Sequence, residues 1–408
     1  MSPTRQLAVL AAAFALVTAS GSAALAQKKY DIGATDTEIK IGNIMPYSGP
    51  ASAYGVIGRT ETAYFKMIND QGGINGRKIN FVSYDDAYSP PKTVEQARKL
   101  VESDEVLLIF NSLGTPPNSA IQKYMNQKKV PQLFVATGAT KWNDPQNFPW
   151  TMGWQPNYQS ETIIYAKYIL KHNPNAKIAV LYQNDDYGKD YLKGFKDGLG
   201  AKAASMIVAE DSYEVSEPTI DSHIVRLKAS GADVFMNITT PKFAAQAIKK
   251  NAELGWKPLH FLNNVSGSIG SVIKPAGFEN AQDIISSQYF KDPTDAQWKT
   301  DKSMIAWNEF LDKYYPEANR ADASVMYAYI VSQGLVHVLK ACGDNLTREN
   351  IMKQAASIRD YEPGGLLPGV KVNTSATDFA PLSQLQLIRF KGETWERFGE
   401  VLSGDVGG

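Results

Sequence analysis

IGNIMPYSGPASAYG, residues 41–55, is the stretch from which the rest of the chain can be read. Ile41–Met45 is apolar enough for a buried strand, a Pro/Ser/Gly turn breaks it, and Tyr54 stands just before a helical pattern. QGGINGRK (71–78) closes that helix and leads into INFVSYDD (79–86), a second strand ending in two carboxylates. A strand that ends in a polar turn and feeds a helix offers backbone N–H groups to a small polar ligand.

The same alternation continues to about Asn264. Strands are expected at 39–45, 79–84, 106–110, 132–136, 177–182, 205–209, 234–238 and 260–263. Helices are expected at 93–103, 118–128, 158–171, 188–199, 219–228 and 242–254. Strands separated by single helices indicate βαβ units and parallel sheets. Several strands are continuous apolar runs, as when helices cover both faces of a sheet. Trp142–Asn157, rich in proline and tryptophan, interrupts the pattern and reads as a crossing between two lobes.

The N-terminus has the marks of a cleavable secretory signal: Arg5, an apolar run from Leu7 to Ala19, and Ala24-Leu25-Ala26 before Gln27. Cleavage after Ala26 is expected, and no later run reads as a membrane span. The 42 basic and 42 acidic side chains balance, which gives no reason to expect nucleic acid or an anionic membrane as partner. Cys342 is the single cysteine, so no intrachain disulfide forms, and its apolar helical surroundings suggest a packed small side chain.

Enzyme signatures are missing. His172, His223, His260 and His337 are scattered and none lies near the cysteine at metal-ligand spacing. No nucleophile elbow, Walker loop or dinucleotide fingerprint occurs. Asp85-Asp86 and Asp185-Asp186 each end an expected strand, where short carboxylates cap the following turn or helix. A binding protein without cofactor or metal is therefore expected.

Three strand ends suit an anion: the opening turn with Ser48 and Tyr54, the Asn111–Thr115 loop before Pro116-Pro117, and Ala136–Thr140. Each alone is an ordinary cap or loop. On successive strands of one sheet they suggest a site.

In order and spacing, the SGP…YG turn, the GGI.G hairpin and the DDA strand end resemble the substrate-binding proteins of branched-chain amino acid-type ABC transporters. The resemblance implies a type I periplasmic binding protein fold, α/β, with two doubly wound parallel-sheet lobes joined by three hinge crossings. It implies residues 37–154 with 287–378 in lobe 1 and 155–286 with 379–402 in lobe 2. It places Ser112, Gly138 (through its backbone) and Thr140 on a ligand carboxylate, with Tyr54 lining the pocket. Tyr187, from the YG pair after Asp186, would close from the second lobe. Thr239 and Asn264 would complete that wall.

The departures concern the amino group. Where amino acid binders carry an acid for the ligand ammonium, this chain has Asn263-Asn264-Val265-Ser266. A pocket aromatic of the family corresponds to Thr239, and the cysteine pair of some members to Tyr88 and Asn111. A buried ammonium without a counter-charge costs several kcal/mol. The expected ligand is thus a small carboxylate without an α-amino group, an aromatic or short aliphatic acid. Trp142, Trp150, Trp154 and Tyr158 cluster at the first crossing, where Trp154 is a candidate pocket wall. The resemblance further implies a periplasmic monomer that closes on its ligand and docks on an inner-membrane ABC permease. An amino acid carrier and a ligand-sensing domain are the competing readings.

Overall fold

Glu38–Met45 (β1) and Lys78–Asp85 (β2) lie side by side in parallel, Ile39 opposite Ile79 and Met45 opposite Asp85. The computed structural model describes residues 28–403, so the expected signal segment lies outside the described residues. Leu108–Phe110 (β3), Gln132–Val135 (β4) and Thr151–Gly153 (β5) complete a parallel sheet in the order β2-β1-β3-β4-β5. A second sheet holds Ile178–Gln183 (β6), Ile207–Tyr213 (β7), Val234–Ile238 (β8), Leu259–Leu262 (β9) and Ile285–Gln288 (β10), again parallel. An antiparallel hairpin, Gln384–Lys391 (β11) and Thr394–Ser403 (β12), closes one edge. The order is β12-β11-β10-β9-β8-β6-β7.

Strand residues alternate between two buried faces, which is why the apolar runs are continuous. In the first sheet Ile44 and Ile109 pack on Ala97 of Pro90–Arg98 (α2) and on Ile121 and Met125 of Thr115–Lys128 (α3). Ile41, Leu108 and Phe110 face the other way, in the core that holds Phe65 of Val56–Asp70 (α1). The second sheet repeats the scheme. Ala179, Leu181 and Phe235 meet Ile224 of Asp221–Ala229 (α6) and Phe243 of Pro241–Glu253 (α7). Val180 and Met236 belong with Tyr165 of Tyr158–His172 (α4) and Phe195 of Asp186–Leu199 (α5).

The chain passes from the first sheet to the second between Gly153 and Tyr158, and leaves again beyond Gln288. Lys302–Tyr314 (α8) and Ala323–Cys342 (α9) then return to α1, where Tyr64 meets Phe310 and Tyr329 edge-on at 5.7 and 5.4 Å. α9 has the length and composition of a membrane span, which the sequence reading did not pick out. It is a core helix: 78% of its apolar window is buried inside the protein. Apolar over most of its surface, with a narrow polar stripe at Gln333, His337 and Lys340, it shows only a weak one-sided period. Cys342 ends it, buried, with its thiol pushed up to about 12 by that burial.

Three of the four paired carboxylates act as caps, while Asp186 meets Lys141 at 3.3 Å instead. Asp85 accepts from Ser48 and the Ala87 amide, Asp86 from the Tyr88 amide and Thr93, and Asp185 from the amides of Tyr187 and Gly188. The sequence reading also missed β5, β10, α8 and the final hairpin. β5 has three residues, too few to show a period. In the final hairpin the outer strand β12 is largely exposed and the pairing carries a register shift at Gln386/Leu387.

One buried acid is not a cap. Glu61 on α1 is fully buried, and its Oε2 accepts only from Asn43 Nδ2 at 3.3 Å while Oε1 has no partner. Burial raises its pKa well above the ordinary value, so the folded chain keeps a proton that the unfolded chain releases near pH 4.3, about the free glutamate value. A folded state that binds more protons loses stability as pH rises from that value toward the raised one. Each unit of elevation corresponds to about 1.4 kcal/mol. Denaturant unfolding at pH 5 and pH 8 should therefore show a smaller loss of stability in Glu61→Gln than in the parent chain. Equal losses in both would remove Glu61 as the source.

Candidate ligand-binding site

The carboxyl ends of both sheets face one cleft, and two voids flank Tyr54 within it. The first is lined by Tyr54, Tyr88, Thr115, Tyr158, Tyr187 and Thr240 among others. The second is bordered by Asn264, Ser268, Tyr289, Phe290, Ser324 and Tyr327. Tyr54, Ile57, Gln155 and Val265 border both. Tyr54 Oη donates to the Val265 carbonyl at 3.0 Å, a hydrogen bond from one lobe to the other.

Helix starts form much of the wall. Thr115 opens α3 and Thr240 precedes α7, and neither helix has a capping side chain at its N-terminus. Prolines follow at once (Pro116, Pro117 and Pro241), which removes amide donors but leaves the positive end of each helix dipole toward the first void. Ala323 and Ser324 bring the start of α9 to the second. Gly114 sits at φ +98, a conformation that disfavours a side chain, and a Cβ there would lie 2.4 Å from the Tyr88 ring. Tyr88 thus reaches the void because residue 114 is glycine.

Among the described residues that line the two voids, no side chain is acidic or basic. Nearby carboxylates are spent on the protein itself. Glu161 accepts from the Asn264 amide at 2.6 Å, Tyr191 at 2.7 Å and Tyr165 at 2.8 Å, and burial lifts its pKa to about 7. Asp185, half-buried beside Gln183, is lifted to about 6 by desolvation. Burial likewise raises the hydroxyls of Tyr54, Tyr88 and Tyr187 well above their usual range, so the aromatic wall is neutral.

Of the candidate site residues, Tyr54, Tyr187 and Asn264 border the voids. The Tyr187 hydroxyl donates to the Thr239 carbonyl at 3.0 Å and accepts from Asn263 Nδ2 at 2.7 Å, while its ring stands edge-on to Tyr158 at 5.6 Å. Five other candidates stand behind the wall. The Ser112 hydroxyl turns to Asn118 Oδ1 at 2.5 Å. Thr140 gives its amide to Asp190 Oδ2 at 2.8 Å and lies with its hydroxyl 3.0 Å from the same oxygen, so a protein carboxylate takes these donors. Gly138 passes under Tyr158, where a Cβ would come 2.7 Å from the ring, and borders a smaller hinge void with Thr140. The Thr239 hydroxyl donates to Asn237 at 2.7 Å, and the next residue, Thr240, meets the cavity. Trp154 is fully buried against Phe134 at 4.7 Å and against Gly334, and packs the hinge.

The sequence reading missed Tyr88, Gln155, Thr240, Tyr289 and Tyr327 as wall residues. Tyr88 follows the Asp85-Asp86 strand end, a signal that was available. Tyr289 and Tyr327 come from distant segments that only the folded chain brings together.

Asn263 stands where the resemblance would put an acid. Its Oδ1 accepts from the Thr239 amide at 3.2 Å while its Nδ2 donates to Tyr187, so both halves of the amide are used. Tyr54→Phe removes the hydroxyl that joins the lobes and leaves the ring. It should weaken ligand binding by about 0.5–1.5 kcal/mol while the melting temperature of the free protein holds. Unchanged affinity by calorimetry would show that the bond does not favour the closed form.

The sequence profile of the family described as "Periplasmic binding protein" matches residues 38–394. The chain is 27% identical over 326 residues to Leu/Ile/Val-binding protein homolog 1 of Brucella suis, covering 78% of this chain and 82% of that protein. Its fold is similar to that of a branched chain amino acid ABC transporter protein from Thermus thermophilus with bound valine: TM-score 0.79, 17% identity, 90% of this chain and 97% of the other covered. A fatty acid ABC transporter substrate-binding protein from Thermomonospora curvata is similar at TM-score 0.75 and 21% identity, covering 92% and 95%. The architecture is the type I periplasmic binding protein fold, as the order of motifs implied. The chain belongs to the periplasmic binding protein family.

Proposed function

We propose that this protein is the extracytoplasmic solute-binding component of an ABC importer, a carrier rather than an enzyme. Its ligand in this reading is a small carboxylate without an α-ammonium, with an aromatic or short aliphatic body. Residues 37–154 with 287–378, and 155–286 with 379–402, act as the two bodies that hinge around it. The closed form is handed to an inner-membrane permease.

The observation that carries the ligand class is the absence of an acidic side chain among the described residues lining the two voids. An ammonium placed there would lose several kcal/mol of hydration with no carboxylate to replace it. A carboxylate fares better. The starts of α3 and α7 point positive dipole ends at the first void, and Thr115, Gln155 and Thr240 add polar groups at its rim. The tyrosine rings supply flat apolar walls for the rest of the ligand. Closure then excludes water and strengthens each hydrogen bond.

The competing reading, an amino acid carrier, is favoured by the names of the Brucella relatives. Calorimetric titration with benzoate-like acids, short fatty acids, leucine and valine separates the two. Tight binding of an acid and none of the amino acids is expected. Tight binding of leucine or valine alone overturns the carboxylate reading. A true ligand at about one hundred times its Kd should add about 2.7 kcal/mol of apparent stability.

A further inference from the structure

Asn264–Ser266 forms a short helical turn after β9, and its first two residues border the ligand voids. The residue before it, Asn263, gives it no side-chain cap. Glu161 of α4 caps it from outside. Glu161 Oε1 accepts from the Asn264 amide at 2.6 Å and from the Tyr165 hydroxyl at 2.8 Å. Oε2 accepts from the Tyr191 hydroxyl of α5 at 2.7 Å. Tyr165 also reaches Ser287 Oγ of β10 at 2.9 Å. One carboxylate thus ties α4, α5 and β10 to the turn that supplies part of the ligand wall.

Glu161 is buried, at 2% exposure, and the groups packed on it are uncharged. They are Tyr158 and Tyr165 on its own helix, Tyr191 on α5, Ser287 on β10, Tyr289 just beyond it, and the Asn264 amide. Asp190 of α5 turns to Gln159 and Thr140 instead. An acid buried without a cation costs stability that an apolar side chain would not. Its use here lies in accepting several hydrogen bonds at once. The Asn264 side chain is tied separately, to the Ser287 carbonyl, so the bond to Glu161 bears on the backbone of the turn.

We propose that Glu161 is a positioning residue for ligand binding, which lines neither void itself but fixes the turn that sets Asn264 and Val265 against them. The Val265 carbonyl that receives the Tyr54 hydroxyl belongs to the same turn. The proposal rests on the two voids being the ligand site. It also gives the turn a pH signature. Burial lifts the Glu161 pKa from 4.5 to about 7, and opening of the turn lets water reach the carboxylate and lowers it again. The docked turn therefore binds the proton more firmly than the open one. Docking is firmest at low pH, weakens as pH rises from 4.5 to about 7, and levels off above that.

Hydrogen exchange and calorimetry of the full chain test it, with benzoate as the calorimetric probe. In the parent, protection of the Asn264 amide relative to its intrinsic exchange rate should fall about tenfold between pH 6 and pH 8. Glu161→Gln keeps an acceptor for that amide but cannot titrate, so protection should hold and its pH slope should flatten. Glu161→Leu should lose the protection at both pH values and bind benzoate severalfold more weakly, while Glu161→Gln binds it like the parent. An equal pH slope in Glu161→Gln overturns the proposal. So does a folded Glu161→Leu that keeps the protection or the parent affinity. If Glu161→Leu does not fold, the slope in Glu161→Gln decides. If the parent does not bind benzoate, the carboxylate reading is what fails, and leucine replaces it as probe in the same comparison.

Discussion

The hydrogen bond from Tyr54 to the Val265 carbonyl depends on nearly everything else in the fold being in place. Tyr54 is presented by the turn between β1 and α1, and Val265 by the turn after β9. The two meet only because each sheet points the carboxyl ends of its strands at the other. Such a bond contributes little net free energy, since both groups find water when the cleft opens, with a typical value of about 0.5–1.5 kcal/mol. A modest bond suits a hinge that must open again. Stronger charged pairs across the cleft would resist reopening.

The neutrality of the cleft follows from how the chain disposes of its acids. Glu161, Asp185 and Asp190 each lie near the cleft or hinge, and each is occupied by amides, hydroxyls or side-chain amides of the protein. Thr140 is the instructive case. Its donors have the chemistry to hold a carboxylate, and they hold one, but it belongs to α5. Motif matching finds such a residue. Which carboxylate it holds is settled only by the packing of α5 beside the crossing.

Much of the framework was legible because parallel strands buried on both faces leave continuous apolar runs, and proline marks helix starts at Pro116 and Pro241. Of the candidate site residues, Tyr54, Tyr187 and Asn264 line the voids and the others stand behind the wall. Thr239 and Thr240 show the limit: neighbouring side chains at a strand end diverge, and sequence does not fix which of the two meets the cavity. Tyr289 and Tyr327 lie beyond that limit for another reason. They join the wall from segments that follow the second lobe in sequence but pack against the first. Trp154, a plausible pocket wall by composition, fills the space that Gly334 leaves on α9 instead.

The placement of Cys342 has a chemical consequence. A thiol held protonated inside the end of α9 is a poor nucleophile, because attack on a disulfide or an oxidant needs the thiolate. The native chain is therefore indifferent to the redox poise of its surroundings, with no bond to form and no exposed sulfur to exchange. Only when α9 opens does the sulfur recover the acidity of a free cysteine, about 8.5. The single thiol thus separates two chemical lives of the same chain: inert while the core is closed, reactive once it is lost.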